Sequence, residues 1–171
     1  GFGSGGLVVL ASADAGMDKI IHRNSSANVD AVDISEPAIY RWYDSEGNLI
    51  YSGKNATLSP EITTTYKLEV IAGTDGFKDY DELVIEVQQF WLENISPNPT
   101  STNTIIPYQI EGANSSYIMV LNSFGTMSSN YILAPNSNQT TLDVSNYSPG
   151  HYNVVLVVDG NAVDVKSLII Q

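Results

Sequence analysis

Alternation of apolar and polar residues with period two runs through most of this chain, and it limits the fold more than any other feature. Thr64, Tyr66, Leu68, Val70 and Ala72 share one face of an extended segment, while Thr65, Lys67 and Glu69 share the other. Leu83, Ile85 and Val87 alternate with Glu82 and Glu86 around Val84, and Tyr152, Val154, Leu156 and Val158 form a further apolar face. Side chains alternate between faces on a strand but repeat every 3.6 residues on a helix. The runs are also rich in β-branched and aromatic residues, which suit a pleated, half-buried surface. No convincing amphipathic helix of about ten residues or more can be drawn.

Turn signals divide these runs. Ser45-Glu46-Gly47-Asn48 separates Ile39–Asp44 from Leu49–Ser52, and Thr74-Asp75-Gly76 separates Ala72 from Leu83. Further on, the breaks are Glu111-Gly112, Phe124-Gly125, Pro135–Asn138, Pro149-Gly150 and Asp159-Gly160. Short strands with turn signals every ~8–12 residues indicate an all-β sandwich. The 171 residues allow one or two domains. Composition argues for two: residues 1–88 carry 6 Lys+Arg against 14 Asp+Glu, whereas Lys166 is the one cation of residues 89–171. The expected fold is all-β, with two tandem Ig-like antiparallel β-sandwiches of about seven strands each. Residues 1–11 are expected to be a glycine-rich linker and lead-in strand, residues 12–88 an Ig-like sandwich and residues 89–171 a second sandwich. The opening Gly1–Gly6 and the lack of an initial Met suggest a flexible linker inside a longer protein.

The net charge of −12 argues against a nucleic-acid partner and against a polybasic membrane anchor, because both need clustered Lys and Arg. No cysteine occurs, which excludes disulfides, thiolate catalysis and Cys–zinc sites. No apolar run approaches the ~20 residues of a membrane-spanning helix. His22 and His151 lie far apart, and neither has a G-x-S-x-G elbow beside it. No catalytic residue, metal or cofactor is therefore assigned. Asp75, Asp79, Asp81 and Glu82, with Asp14 and Asp18, make an acidic group that reads as solvated loop in preference to a calcium site, since the spacing is not that of an EF-hand. Tyr40, Trp42, Tyr43, Tyr51 and Trp91 are the aromatics available to an alternative reading, an adhesin or carbohydrate-binding tandem.

Ala13-Asp14-Ala15-Gly16-Met17-Asp18-Lys19-Ile20-Ile21, then Trp42, then Thr63-Thr64-Thr65-Tyr66, resemble the Ig-like or PKD-like repeats of bacterial surface proteins over roughly residues 12–88. Tyr66, two residues before Leu68, sits as in a tyrosine corner. Without a disulfide, Trp42 and Leu68 are expected to hold the two sheets together by apolar burial.

Residues 95–171 resemble the C-terminal sorting domain of the Por (type IX) secretion system of Bacteroidetes. The residues carrying the resemblance are Pro97-Asn98-Pro99, the strand and turn Tyr117–Gly125, the stretch Leu142–Tyr152 with Gly150, the Asp159-Gly160 turn and the last strand Lys166-Ser167-Leu168-Ile169-Ile170-Gln171. Two positions depart from the family pattern: Asn122 stands where Asp is usual before the turn glycine, and Gln171 where Lys or Arg is frequent. The resemblance implies a non-catalytic region of a secreted or cell-surface protein, exported through the periplasm and outer membrane. Its implied partners are an outer-membrane β-barrel shuttle, translocon proteins and a sortase-like peptidase. The recognition set it points to is Pro97, Asn98, Pro99, Gly125, Gly150, Tyr152, Lys166, Leu168, Ile169, Ile170 and Gln171. An exposed last strand can be added to a partner's sheet through its main-chain groups. Each residue also has a plainer reading: the prolines stiffen a connection, Gly125 and Gly150 serve turns, Tyr152 is core, and Leu168–Ile170 form a strand.

Overall fold

The strands of the chain fall into two compact units that divide between Gln88 and Gln89. The computed structural model describes residues 11–73 and 76–171. The expected lead-in apart from Ala11, and Thr74 and Asp75 of the expected turn and acidic group, lie outside the described residues. Among the described residues there is no helix.

The first unit contains β1 (Lys19–His22), β2 (Ala27–Asp30), β3 (Ala38–Tyr43), β4 (Leu49–Ser52), β5 (Asn55–Leu58), β6 (Thr64–Ala72) and β7 (Lys78–Gln88). One sheet runs β1-β7-β6-β3-β4 and the other pairs β2 with β5. The pairing of β1 with β7 is parallel, a departure from the all-antiparallel expectation. The alternation read from the sequence is the burial pattern observed: Tyr66, Leu68, Val70, Leu83, Ile85 and Val87 face the core and Lys67, Glu82 and Glu86 do not. Trp42 and Leu68 are fully buried, but they are register partners on β3 and β6 of the same sheet. They therefore do not link the sheets as a pair. They supply one side of a core whose other side is Val29, Ala56 and Leu58 from β2 and β5. The Trp42 indole donates to the Gly53 carbonyl at 3.2 Å, which satisfies its one polar atom.

The second unit contains β8 (Trp91–Leu92), β9 (Asn103–Gln109), β10 (Ser116–Asn122), β11 (Met127–Ile132), β12 (Gln139–Asp143), β13 (Gly150–Val158) and β14 (Asn161–Ile170). Its sheets are β11-β10-β13-β14 and β12-β9-β8. Leu92, Ile106, Tyr108, Ile118, Val120, Leu142, Val154, Leu156 and Leu168 meet between them. Each unit is thus an Ig-like β-sandwich, and the chain is a tandem of two. In both, a sheet is half polar and must bury its apolar face against another, so two sheets are the smallest arrangement that does so.

Candidate recognition site on the second unit

The connection from β8 to β9 carries Pro97-Asn98-Pro99. Proline has no N–H and fixes φ, so this stretch cannot extend a hydrogen-bonded ladder through its backbone alone. Both X-Pro bonds, Ser96-Pro97 and Asn98-Pro99, are cis. Asn98 supplies what the prolines lack. Its carboxamide has the acceptor and donor of a peptide group, and it lies along β14. Asn98 Oδ1 accepts from the Ile169 N–H at 2.9 Å, and Asn98 Nδ2 donates to the Ser167 carbonyl at 2.9 Å. Thr100 continues the pattern with its backbone: its N–H donates to the Ile169 carbonyl at 3.0 Å and its carbonyl accepts from Gln171 N–H at 2.9 Å. One side-chain amide and one backbone residue together imitate a short strand on the outer edge of β14.

Two threonines fix this segment from beneath. Thr104 Oγ1, fully buried, donates to the Pro97 carbonyl at 2.6 Å, and Thr100 Oγ1 donates to the Asn103 carbonyl at 2.8 Å. Ser96 and Ile105 exchange backbone bonds at 2.9 and 3.1 Å. Nearer the start of β14, Asp164 Oδ2 accepts from the Leu92 N–H at 2.8 Å and its other oxygen accepts from the Val165 N–H at 2.9 Å. The polar groups named along this edge are each paired, as a stable sheet edge requires. Thr100, Thr104 and Asp164 were not singled out from the sequence, because a Thr or Asp in a β protein gives no signal until its backbone partner is known.

The expected recognition residues divide by face. Leu168 and Ile170 are 0% and 3% exposed and belong to the core. Ile169 is 46% exposed, and Gln171, Pro97, Asn98 and Pro99 are exposed beside it. Lys166 is half-buried. The last strand is therefore neither bare along its outer edge at Ser167–Gln171 nor open on both faces. Tyr152, paired in register with Leu168, is core, and its hydroxyl donates to the Ser148 carbonyl at 2.7 Å. That bond, from a tyrosine near the start of a strand to backbone just upstream, is a tyrosine corner. Gly150 opens β13 opposite Ile170. Gly125 lies in the turn between β10 and β11, at the same end of the sheet as Gly150 but separated from β14 by β13 and β10. Its φ of +78° is one that only glycine adopts freely.

Between that turn and β13 lies a cleft of about 540 Å³, lined by Phe124, Asn146, Tyr147, Pro149, His151 and Tyr152 among others. The Tyr147 hydroxyl is bonded to Ser129 and Tyr131. Burial pushes its pKa up to about 12, so it stays protonated at neutral pH.

In the first unit the acidic residues act as acceptors for backbone. Asp79 Oδ2 accepts from Ala13 N–H at 2.7 Å, Asp81 Oδ2 from Ala15 N–H at 2.8 Å, and Asp18 Oδ1 from Val84 N–H at 2.9 Å. These bonds fasten the segment ahead of β1 along β7. Among the described residues no group of three or more His, Cys, Asp or Glu could hold a metal ion. Of the aromatics considered for a sugar platform, Tyr40, Trp42 and Trp91 are buried, and Tyr43 donates to Glu69 at 3.1 Å. Tyr51 is exposed. No helix among the described residues is long and apolar enough to cross a membrane.

Fold and site thus define a tandem Ig-like protein whose second sandwich closes its last strand with a P-N-P segment. Residues 94–171 match the family described as a secretion system C-terminal sorting domain. A protein with this domain is secreted or displayed at the cell surface. No curated protein matches the chain in sequence. Solved structures to which the chain is similar include a two fibronectin type-III domain segment from chicken tenascin, 10% identical with a TM-score of 0.41, covering 94% of this chain and 97% of that one. The fibronectin(III)-like modules of Clostridium thermocellum CbhA are 13% identical with a TM-score of 0.36, covering 94% of each chain. A biofilm associated protein BSP domain is 11% identical with a TM-score of 0.39; the match covers 93% of this chain but 29% of that one. The fold assignment rests on strand pairing and burial and not on these likenesses.

Proposed function

We propose that the second unit is the type IX sorting signal of a Bacteroidetes surface or secreted protein, and that the first is a non-catalytic Ig-like spacer. Its readers would be an outer-membrane β-barrel shuttle and the translocon, with a sortase-like peptidase acting after transport through the periplasm and outer membrane. The observation that carries this reading is the pair of hydrogen bonds that Asn98 makes with β14, donating to the Ser167 carbonyl and accepting from the Ile169 N–H. Residues about 70 positions apart in sequence, which the family resemblance picks out separately, form one surface. Pro97, Pro99, Ile169 and Gln171 present side chains on it and Asn98 ties them together, while Lys166, in register with buried Val154, lies on the opposite face of β14 from Ile169. Leu168, Ile170, Tyr152, Gly125 and Gly150 shape the unit beneath and beside that surface.

Deleting Leu168–Gln171 would strip two buried side chains from the core, so lost delivery would not separate misfolding from lost recognition. Ile169→Asp is the cleaner variant. A reporter fused ahead of the full chain and expressed in a type IX-competent bacterium should reach the surface, and Ile169→Asp should leave it in the periplasm still cooperatively folded, with only a small drop in its unfolding midpoint. Undiminished surface delivery of that variant would contradict this assignment of the surface.

A further inference from the structure

We propose, resting on the sorting reading above, that the Asn98–Thr100 segment is a displaceable strand mimic that keeps the outer edge of β14 closed until a partner strand replaces it. In an antiparallel ladder, alternate residues aim both backbone groups toward the same neighbour. Ile169 bonds outward through both N–H and carbonyl, so Leu168 and Ile170, in register with Tyr152 and Gly150, face β13. Outward from β14, the Ser167 carbonyl, both Ile169 groups and the Gln171 N–H are taken by one side chain and one residue. An incoming extended strand offers the same donors and acceptors with the same spacing; it can take the place of the exposed Asn98 side chain directly, and to take the place of Thr100 it must draw out a buried residue whose hydroxyl bonds the Asn103 carbonyl. The existing occupant is a weak competitor, because an exposed asparagine side chain loses rotamer freedom to stay in place. Unlike a true edge strand, it has only Thr100 to continue the ladder. Native sheets protect their edges against unwanted pairing; here the protection is local, short and removable.

The test uses the full chain with Asn98→Ala, which removes both side-chain bonds, and Asn98→Asp, which keeps the acceptor for Ile169 and loses the donor to Ser167. Amide exchange at Ile169 and Gln171, measured by NMR, should rise about tenfold in Asn98→Ala, the scale of one lost hydrogen bond. It should rise less in Asn98→Asp, while Leu168 and Ile170 amides stay protected in both and so report an intact sandwich. Surface delivery of a reporter fused to each variant, in a type IX-competent strain, should be faster than wild type in the same order. Unchanged exchange at Ile169 would overturn the mimic. Faster exchange with unchanged or lost delivery would overturn displacement, lost delivery meaning that Asn98 is itself read. Failure of the wild-type chain to be delivered would instead overturn the sorting reading on which the proposal rests.

Discussion

Asp44 and Asn122 hold matching places in the two units. Asp44 Oδ1 accepts from the Glu46 and Asn48 N–H groups at 2.9 Å, and Asn122 Oδ1 accepts from Phe124 and Thr126 at 3.0 Å. In each turn the backbone carbonyl of the same residue accepts from the glycine three positions on, Gly47 at 3.1 Å and Gly125 at 2.9 Å. The turn needs an acceptor two atoms from the backbone, and both side chains provide one. Asn122 thus satisfies the geometry for which the family pattern usually has Asp.

The two turns differ in charge, and acid should separate them. Hydrogen bonds from Asn48, with smaller contributions from Glu46 and Gly47, hold the Asp44 carboxyl below its ordinary 3.8. A lowered folded pKa means stability that is complete above 3.8 and lost as pH falls through the folded value. Asn122 does not titrate. Amide exchange at Glu46 and Asn48 should therefore quicken below about pH 3.8 relative to Phe124 and Thr126. An equal response of both turns would contradict the pairing.

Gly125→Ala forces a Cβ into the left-handed region although nothing lies within 4 Å of it. The expected loss is roughly 1–2 kcal/mol, and Gly125→Asn should lose less, because asparagine tolerates that region. Chemical denaturation checks this. If the turn is the whole role of Gly125, Gly125→Asn should also keep surface delivery.

Alternate residues of β14 should respond unequally. Leu168→Ala should cost about 2–5 kcal/mol, as for other buried leucines. Ile169→Ala should cost less than about 1 kcal/mol. Denaturant midpoints with unchanged slopes would establish both. Equal losses would mean that the register of β14 is wrong.

Tyr152→Phe keeps the ring in the core but removes the bond to Ser148. A loss of about 1 kcal/mol is expected, read as a lower thermal midpoint, and no loss would show that the corner contributes nothing.

Much of this was legible from sequence, for a physical reason that also sets the limit. Alternation reports which residues face a core, so Leu68, Val70, Leu83, Ile85 and Val154 could be placed directly. It does not report which strand lies beside which. The expectation that Trp42 and Leu68 join the sheets failed at that point: both face inward, but from neighbouring strands of one sheet. The spacing ahead of Leu68 points to a tyrosine corner at Tyr66; a hydroxyl bond to backbone just upstream is observed at Tyr152, which alternation reads simply as core. Turn chemistry named Gly47, Gly125 and Gly160 because positive φ leaves a mark in composition. The closure of β14 by Asn98 left none. It depends on a contact across 71 residues, and an asparagine between two prolines reads locally as a turn.

The central claim is that the second unit addresses the chain to type IX export. The most direct measurement is protease accessibility of a reporter fused ahead of the full chain, in a type IX-competent bacterium and in the same strain lacking the outer-membrane β-barrel shuttle. The account predicts cleavage by external protease in the first and protection, with periplasmic accumulation, in the second. Equal cleavage in both strains, or protection in both, would contradict it.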